Sequence, residues 1–133
     1  MKLNKNLVLA ISVTTLIMGA ISVQAQEQPY VVTDGNKLDA DSYKGFKLFR
    51  NWCARCHGTY GQGMVGPNLA DSLNVISKEE FFDVVEHGKS GSIGSMPAWK
   101  ANIKVIEGRE QLYSYLKARA DGAIGVVKPK KAK

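Results

Sequence analysis

The chain has 133 residues, 44% hydrophobic and 23% charged, which is enough for one domain with a modest core. Its two cysteines exclude a disulfide framework. The formal charge of +6 is concentrated at the ends: residues 26–127 balance at 12 basic against 12 acidic, leaving no basic face for nucleic acid.

Residues 1–25 read as a secretory signal peptide. Lys2 and Lys5 supply the positive start, Leu7 to Ile21 carries no charge, and Val23-Gln24-Ala25 suits cleavage after Ala25. The apolar run is short for a bilayer span of roughly 20 residues. Export to the periplasm without a stable membrane anchor is therefore expected. Residues 26–37 read as an extended arm, with Tyr30, Val31 and Val32 ahead of the turn signal Asp34-Gly35-Asn36. Asp39 or Asp41 then caps a helix in which Tyr43, Phe46, Leu48 and Phe49 recur at helical spacing up to Cys53.

Cys53-Ala54-Arg55-Cys56-His57 follows. Cys-x-x-Cys-His is the attachment signature of a covalent c-type haem. On a helical turn, residues three and four apart share a face. Cys53 and Cys56 can then form thioethers with the two vinyl groups, while His57 reaches the iron as proximal ligand. Two other readings use the same cysteines. A thioredoxin-like dithiol wants a βαβ context, and no convincing strand precedes Cys53. A zinc site wants four ligands, and only His87 remains to join these three residues. One haem c also suits an exported chain, because that haem is attached outside the cytoplasm, and its cross-link supports a small core.

A Gly-rich loop holding Pro67 spans Gly58 to about Val75. The Pro67 carbonyl is placed to accept a hydrogen bond from His57 Nδ1–H, although Gly66-Pro67 also reads as an ordinary turn. Ser77-Lys78-Glu79-Glu80 is a capping box opening a helix with Phe81, Phe82, Val84 and Val85 on its buried side and Gly88 as its stop. Residues 88–95 read as a flexible loop leading to Met96-Pro97. An electron carrier needs a second axial ligand. The candidates are Met96, 39 residues beyond His57; His87, at a helix end where a solvated imidazole is ordinary; and Met64, only seven residues from His57. Met96 is favoured, and its soft thioether raises the reduction potential. Trp52, Arg55 and Trp99 fit a haem margin and ordinary surface or packing roles equally. The last helix runs from about Arg109 to Ala120, with Leu112, Tyr113, Tyr115 and Leu116 apolar and Gly122 as its stop. The tail, 124–133, carries Lys128, Lys130, Lys131 and Lys133. It reads as a solvated, mobile end, or else as a steering arm toward an acidic partner or anionic lipid.

In this order, Gly45 and Phe49 before Cys53, Gly66-Pro67-Asn68-Leu69, Met96-Pro97, and Leu112 with Tyr115 resemble a class I c-type cytochrome over about residues 38–120. The resemblance implies an all-α fold: a few helices wrapped around one covalent haem, with the N- and C-terminal helices packed together, in a domain spanning 38–123. It also makes Pro67 the expected acceptor for His57. Tyr30 to Lys37, Tyr43-Lys44-Gly45-Phe46, Asp71-Ser72-Leu73, Phe81 to Val85 and, most specifically, Tyr115 to Ala123 are similar to the cytochrome cL type. That type accepts electrons from periplasmic PQQ-dependent alcohol dehydrogenases, lanthanide-dependent methanol dehydrogenases among them.

The expectation is a monomeric one-electron carrier and not an enzyme. Its expected donor is a PQQ-dependent alcohol dehydrogenase and its acceptor a second cytochrome or an oxidase; the alternative is a carrier in another periplasmic respiratory chain. A haem peroxidase or gas sensor would need a displaceable sixth ligand, which Met96 argues against.

Overall fold

The computed structural model describes residues 27–133 apart from Ile93. The expected leader falls on residues 1–26, outside the described residues. The elements in order are β1 (Val32–Thr33), β2 (Lys37–Leu38), α1 (Ala40–Trp52), α2 (Ala54–His57), α3 (Leu69–Ser72), α4 (Lys78–His87), β3 (Lys89–Ser90), β4 (Ser95–Met96), α5 (Ile103–Glu107), α6 (Arg109–Ala120) and β5 (Lys130–Lys131). The architecture is helical; every strand is two residues long.

Asp39 starts α1. Its Oδ1 accepts from Asp41 N–H and Ser42 N–H, both at 3.0 Å. Its Oδ2 accepts from Ser42 Oγ–H at 2.6 Å and from Val31 N–H at 2.8 Å. One carboxylate thus caps the helix and ties the preceding arm to it. Burial pushes the Asp39 pKa up, but these hydrogen bonds outweigh it and leave the carboxyl below its ordinary value.

The spine of the fold is α1 against α6. Phe46 and Phe49 from α1 meet Leu112, Tyr115 and Leu116 from α6 in one buried cluster. Tyr115 sits edge-on to Phe46, with ring centres 5.2 Å apart, and tilted against Phe49 at 5.6 Å. Gly45 sets how closely the helices approach. A Cβ at that position would lie 1.8 Å from the Gln111 carbonyl oxygen. The backbone of α6 therefore occupies the volume of a side chain on α1.

Helix α4 lays Phe81 and Val85, one turn apart, onto this core. Phe82 is half-buried and stacks outward under the Arg109 guanidinium, 4.9 Å from its ring centre. Ser77 Oγ accepts the Glu80 N–H at 3.1 Å, as the N-cap signal requires.

The stretch read as a loop from Gly58 to about Val75 contains a short helix, and so does the segment between Trp99 and Arg109. Asn68 caps α3 by accepting the Ala70 N–H, and Asn102 caps α5 by accepting the Val105 N–H. Such single turns are too short for a periodic apolar pattern to reveal. The stretch read as a flexible loop after Gly88 is an antiparallel hairpin that pairs Lys89 with Met96 and Ser90 with Ser95.

The tail departs from the mobile end expected of it. β5 pairs in parallel with β2, Lys37 opposite Lys130 and Leu38 opposite Lys131, while β1 covers the other edge of β2. Lys130 N–H donates to Asn36 O and Ala132 N–H to Leu38 O. Ile124 is part of the core and Pro129 is buried. The arm and the tail are one small sheet, which a local reading of either segment could not show.

Gly45→Ala is expected to destabilise the holoprotein by about 3 kcal/mol or more, because two backbones must move apart to admit the methyl. Denaturant unfolding followed at the haem absorption band checks this; a change below about 1 kcal/mol would mean that the crossing is not tight.

Candidate functional site

Helix α1 ends at Cys53, whose N–H closes the last turn onto Phe49 O at 2.8 Å. The chain then reverses into α2. Cys56 N–H and His57 N–H both donate to Cys53 O, at 3.1 and 3.0 Å. This single turn places both thiols and the imidazole at i, i+3 and i+4, the spacing inferred from the sequence. Cys53 is half-buried against the core, whereas Cys56 is exposed. Burial pushes the Cys53 thiol up to about 12, with the neighbouring Cys56 adding to the shift. A sulfur buried in this way is compatible with a neutral thioether.

His57 is buried at 7% exposure. Its Nδ1 lies 2.9 Å from the Pro67 carbonyl oxygen. A carbonyl can only accept, so Nδ1 carries the proton and Nε2 is left with its lone pair for a metal. The segment that delivers Pro67 is fastened to the motif itself. Gly63 N–H donates to His57 O, and Gly66 N–H to Cys56 O, both at 2.8 Å. Gly66 has to be glycine, since a Cβ there would lie 2.9 Å from His57 Cε1. Gly58, at φ +78°, makes the preceding turn.

Arg119 secures this loop from behind. It is 8% exposed and has no carboxylate partner among the described residues. Its Nε–H donates to Tyr60 O at 2.8 Å and its Nη1–H to Ile124 O at 2.6 Å. One guanidinium therefore clamps the loop after the motif to α6 and to the chain leaving it. No motif points to this role. The available signal was position: Leu112, Tyr115, Leu116 and Arg119 share one helical stripe, which puts an arginine on the buried face.

Met96 lies half-buried at the end of β4, against the core cluster. The segment after it is strapped to the C-terminus of α4 by Trp99 N–H to Val85 O and Lys100 N–H to Glu86 O, both 3.1 Å. Gly88, at φ +79°, permits that approach; a Cβ there would lie 2.6 Å from Met96 O. The competing candidates both lie on the surface. His87 is exposed on the surface of α4, its Nδ1 3.0 Å from Asp83 Oδ1, and Met64 is 66% exposed.

Trp52, immediately before Cys53, meets Trp99, three residues after Met96, with ring centres 5.7 Å apart. They share an open, mainly apolar cleft of about 510 Å³ with Ala98 and Ile103. The residue before Cys53 and the residues just after Met96 thus line one cleft. Arg55 is exposed.

Two cysteines in thioether register beside an oriented imidazole are the donor set of a c-type cytochrome, and they fit one haem c. Comparison with known proteins agrees. Residues 40–116 match the family model described as cytochrome c oxidase, cbb3-type, subunit III, and the chain belongs to this family of haem-c domains. It is 36% identical to cytochrome c-555 of Methylococcus capsulatus over 85% of this chain and 84% of that protein. Among solved structures it is similar to the c-type cytochrome XoxG of Methylobacterium extorquens AM1, with a TM-score of 0.71 and 34% identity over 80% of this chain and 74% of that one. Cytochrome CL of Methylophaga aminisulfidivorans shares the fold at a TM-score of 0.50 and 19% identity, over 70% of this chain and 69% of that one. The protein is a monohaem electron-transfer cytochrome of the class I type, and not an enzyme.

Arg119→Ala is expected to lower stability by about 2–4 kcal/mol, because it leaves two carbonyl oxygens without their charged donor. Arg55→Ala, at an exposed position, should change stability little. Thermal unfolding of both variants checks the contrast; equal midpoints would remove the clamp from the argument.

Proposed function

We propose that this cytochrome is a periplasmic electron carrier whose Cys53 and Cys56 hold the haem by thioethers, with His57 as proximal and Met96 as distal iron ligand. Its donor is a PQQ-dependent alcohol dehydrogenase, methanol dehydrogenases included. Its acceptor is a downstream cytochrome or an oxidase. The observation that carries the ligand assignment is the 2.9 Å contact of His57 Nδ1 with Pro67 O, which leaves Nε2 as the free nitrogen.

When bound, the haem supplies a ferric/ferrous couple that exchanges one electron at a time. The chain does the rest. Pro67 holds the imidazole in one tautomer and one plane, and its hydrogen bond raises the basicity of the ligating nitrogen. The strap from α4 to residues 99 and 100 holds the segment carrying Met96, whose thioether would exclude water and small substrates from a bound iron. A fixed pair of ligands also means little rearrangement between oxidation states, which suits a carrier.

The donor assignment rests on the similarity to XoxG and on the Tyr115 to Ala123 stretch, which resembles the cytochrome cL type. The 19% identity to cytochrome CL supports the fold alone. Periplasmic location rests on the Lys2 to Ala25 leader pattern.

Stopped-flow mixing of the ferric holoprotein with a reduced PQQ-dependent methanol dehydrogenase should show haem reduction well above the rate for an unrelated c-type cytochrome. Equal rates would overturn the donor assignment. Met96→Ala should keep the haem attached, lower the potential by on the order of 100 mV or more, and let the ferrous form bind carbon monoxide at neutral pH. An unchanged spectrum and potential would move the sixth ligand elsewhere.

A further inference from the structure

The tail that was expected to be loose is a held strand, and it carries the chain's excess charge. Lys128, Lys130, Lys131 and Lys133 are all exposed. Among the described residues no carboxylate lies within ion-pair range of any of them, whereas Lys37 beside them is paired with Asp34 at 2.6 Å. The sheet order is β1-β2-β5, so β5 is an edge strand. Lys130 and Lys131 leave its opposite faces, and an approach along that edge meets both. Immediately before them Val126 and Val127 are exposed, at 56% and 42%. Exposed aliphatics next to unpaired lysines on a rigid edge are the composition of an interfacial anchor.

Position decides between a protein partner and a lipid surface. β5 lies beside β2, at the N-terminal end of α1, and Cys53 lies at the other end. Thirteen helical residues span about 20 Å. A redox partner docked on β5 would sit at the far end of the domain from the haem attachment. An anionic membrane surface has no such requirement, and docking there leaves the haem-bearing end free for donor and acceptor. We propose that the β5 edge, with Val126 and Val127, is a docking site for anionic phospholipid bilayers, which keeps the carrier reversibly at the membrane surface. Lysines near an anionic surface each add attraction that salt screens, so binding is weak and exchangeable.

The test is co-sedimentation of purified holoprotein with vesicles of phosphatidylglycerol mixed with phosphatidylcholine, against phosphatidylcholine alone. Binding is expected on the mixed vesicles only, and at least tenfold weaker for Lys128→Gln/Lys130→Gln/Lys131→Gln/Lys133→Gln, with an unchanged haem spectrum and circular dichroism. The corresponding four-fold Lys→Arg variant should bind like the parent, and Val126→Ser/Val127→Ser should bind more weakly. No binding, equal binding to neutral vesicles, or undiminished binding by the glutamine variant would overturn the proposal. So would a tenfold loss, in that variant, of reduction by a soluble dehydrogenase without vesicles, because the strand would then serve protein docking.

Discussion

The α1–α6 crossing at Gly45 is the constraint on which the rest depends. The Gln111 carbonyl stands where a Cβ of residue 45 would be, so the two helices meet at backbone distance. That contact fixes the axis of α1, and α1 ends directly in Cys53. The haem-attachment turn is thus aimed by a packing decision made eight residues earlier. The same closeness lets Phe46, Phe49 and Tyr115 form an aromatic cluster behind the motif, which gives Cys53 its apolar surroundings.

From that spine the site is built by backbone hydrogen bonds more than by side chains. The loop from Gly58 to Pro67 folds back on the motif through Gly63 and Gly66, and it is closed from behind by Arg119 through two carbonyls. Buried arginine is costly unless its donors are satisfied. Here they donate to Tyr60 O, which also accepts from Tyr115 Oη–H at 3.4 Å, and to Ile124 O in the chain leaving α6. The segment after Met96 follows the same plan, with Trp99 and Lys100 bonded to the C-terminal turn of α4. Glycines 66 and 88 are at the two points where backbone and ligand segments come too close for a Cβ.

This construction suits an electron carrier. His57 and the segment carrying Met96 are each held by neighbours that are themselves held, so both would keep their places as a bound iron changed charge. The open apolar cleft between Trp52 and Trp99 lies at the junction of the two ligand segments, and the basic sheet lies beyond the other end of α1. The haem-attachment motif and the surface that carries the excess charge thus lie at opposite ends of α1.

Local chemistry was legible in the sequence because its signals are local. Cys53 to His57 name the cofactor by spacing alone. Asp39, Ser77 and Gly88 mark helix ends through hydrogen bonds that span three or four residues, and the apolar repeat in 109–120 marks the last helix. The close approach at Gly45 was legible only through the family resemblance, which also decided Pro67 between an acceptor for His57 and an ordinary turn. Tertiary structure decided what depends on segments far apart in the chain. It made the mobile tail a strand, because the partner of Lys130 lies more than ninety residues earlier, at Lys37. It turned the loop after Gly88 into a hairpin, and it gave Arg119 acceptors at Tyr60 and Ile124. Composition cannot announce such pairings: a backbone carbonyl has the same chemistry in every residue, and only the fold determines which donor reaches it.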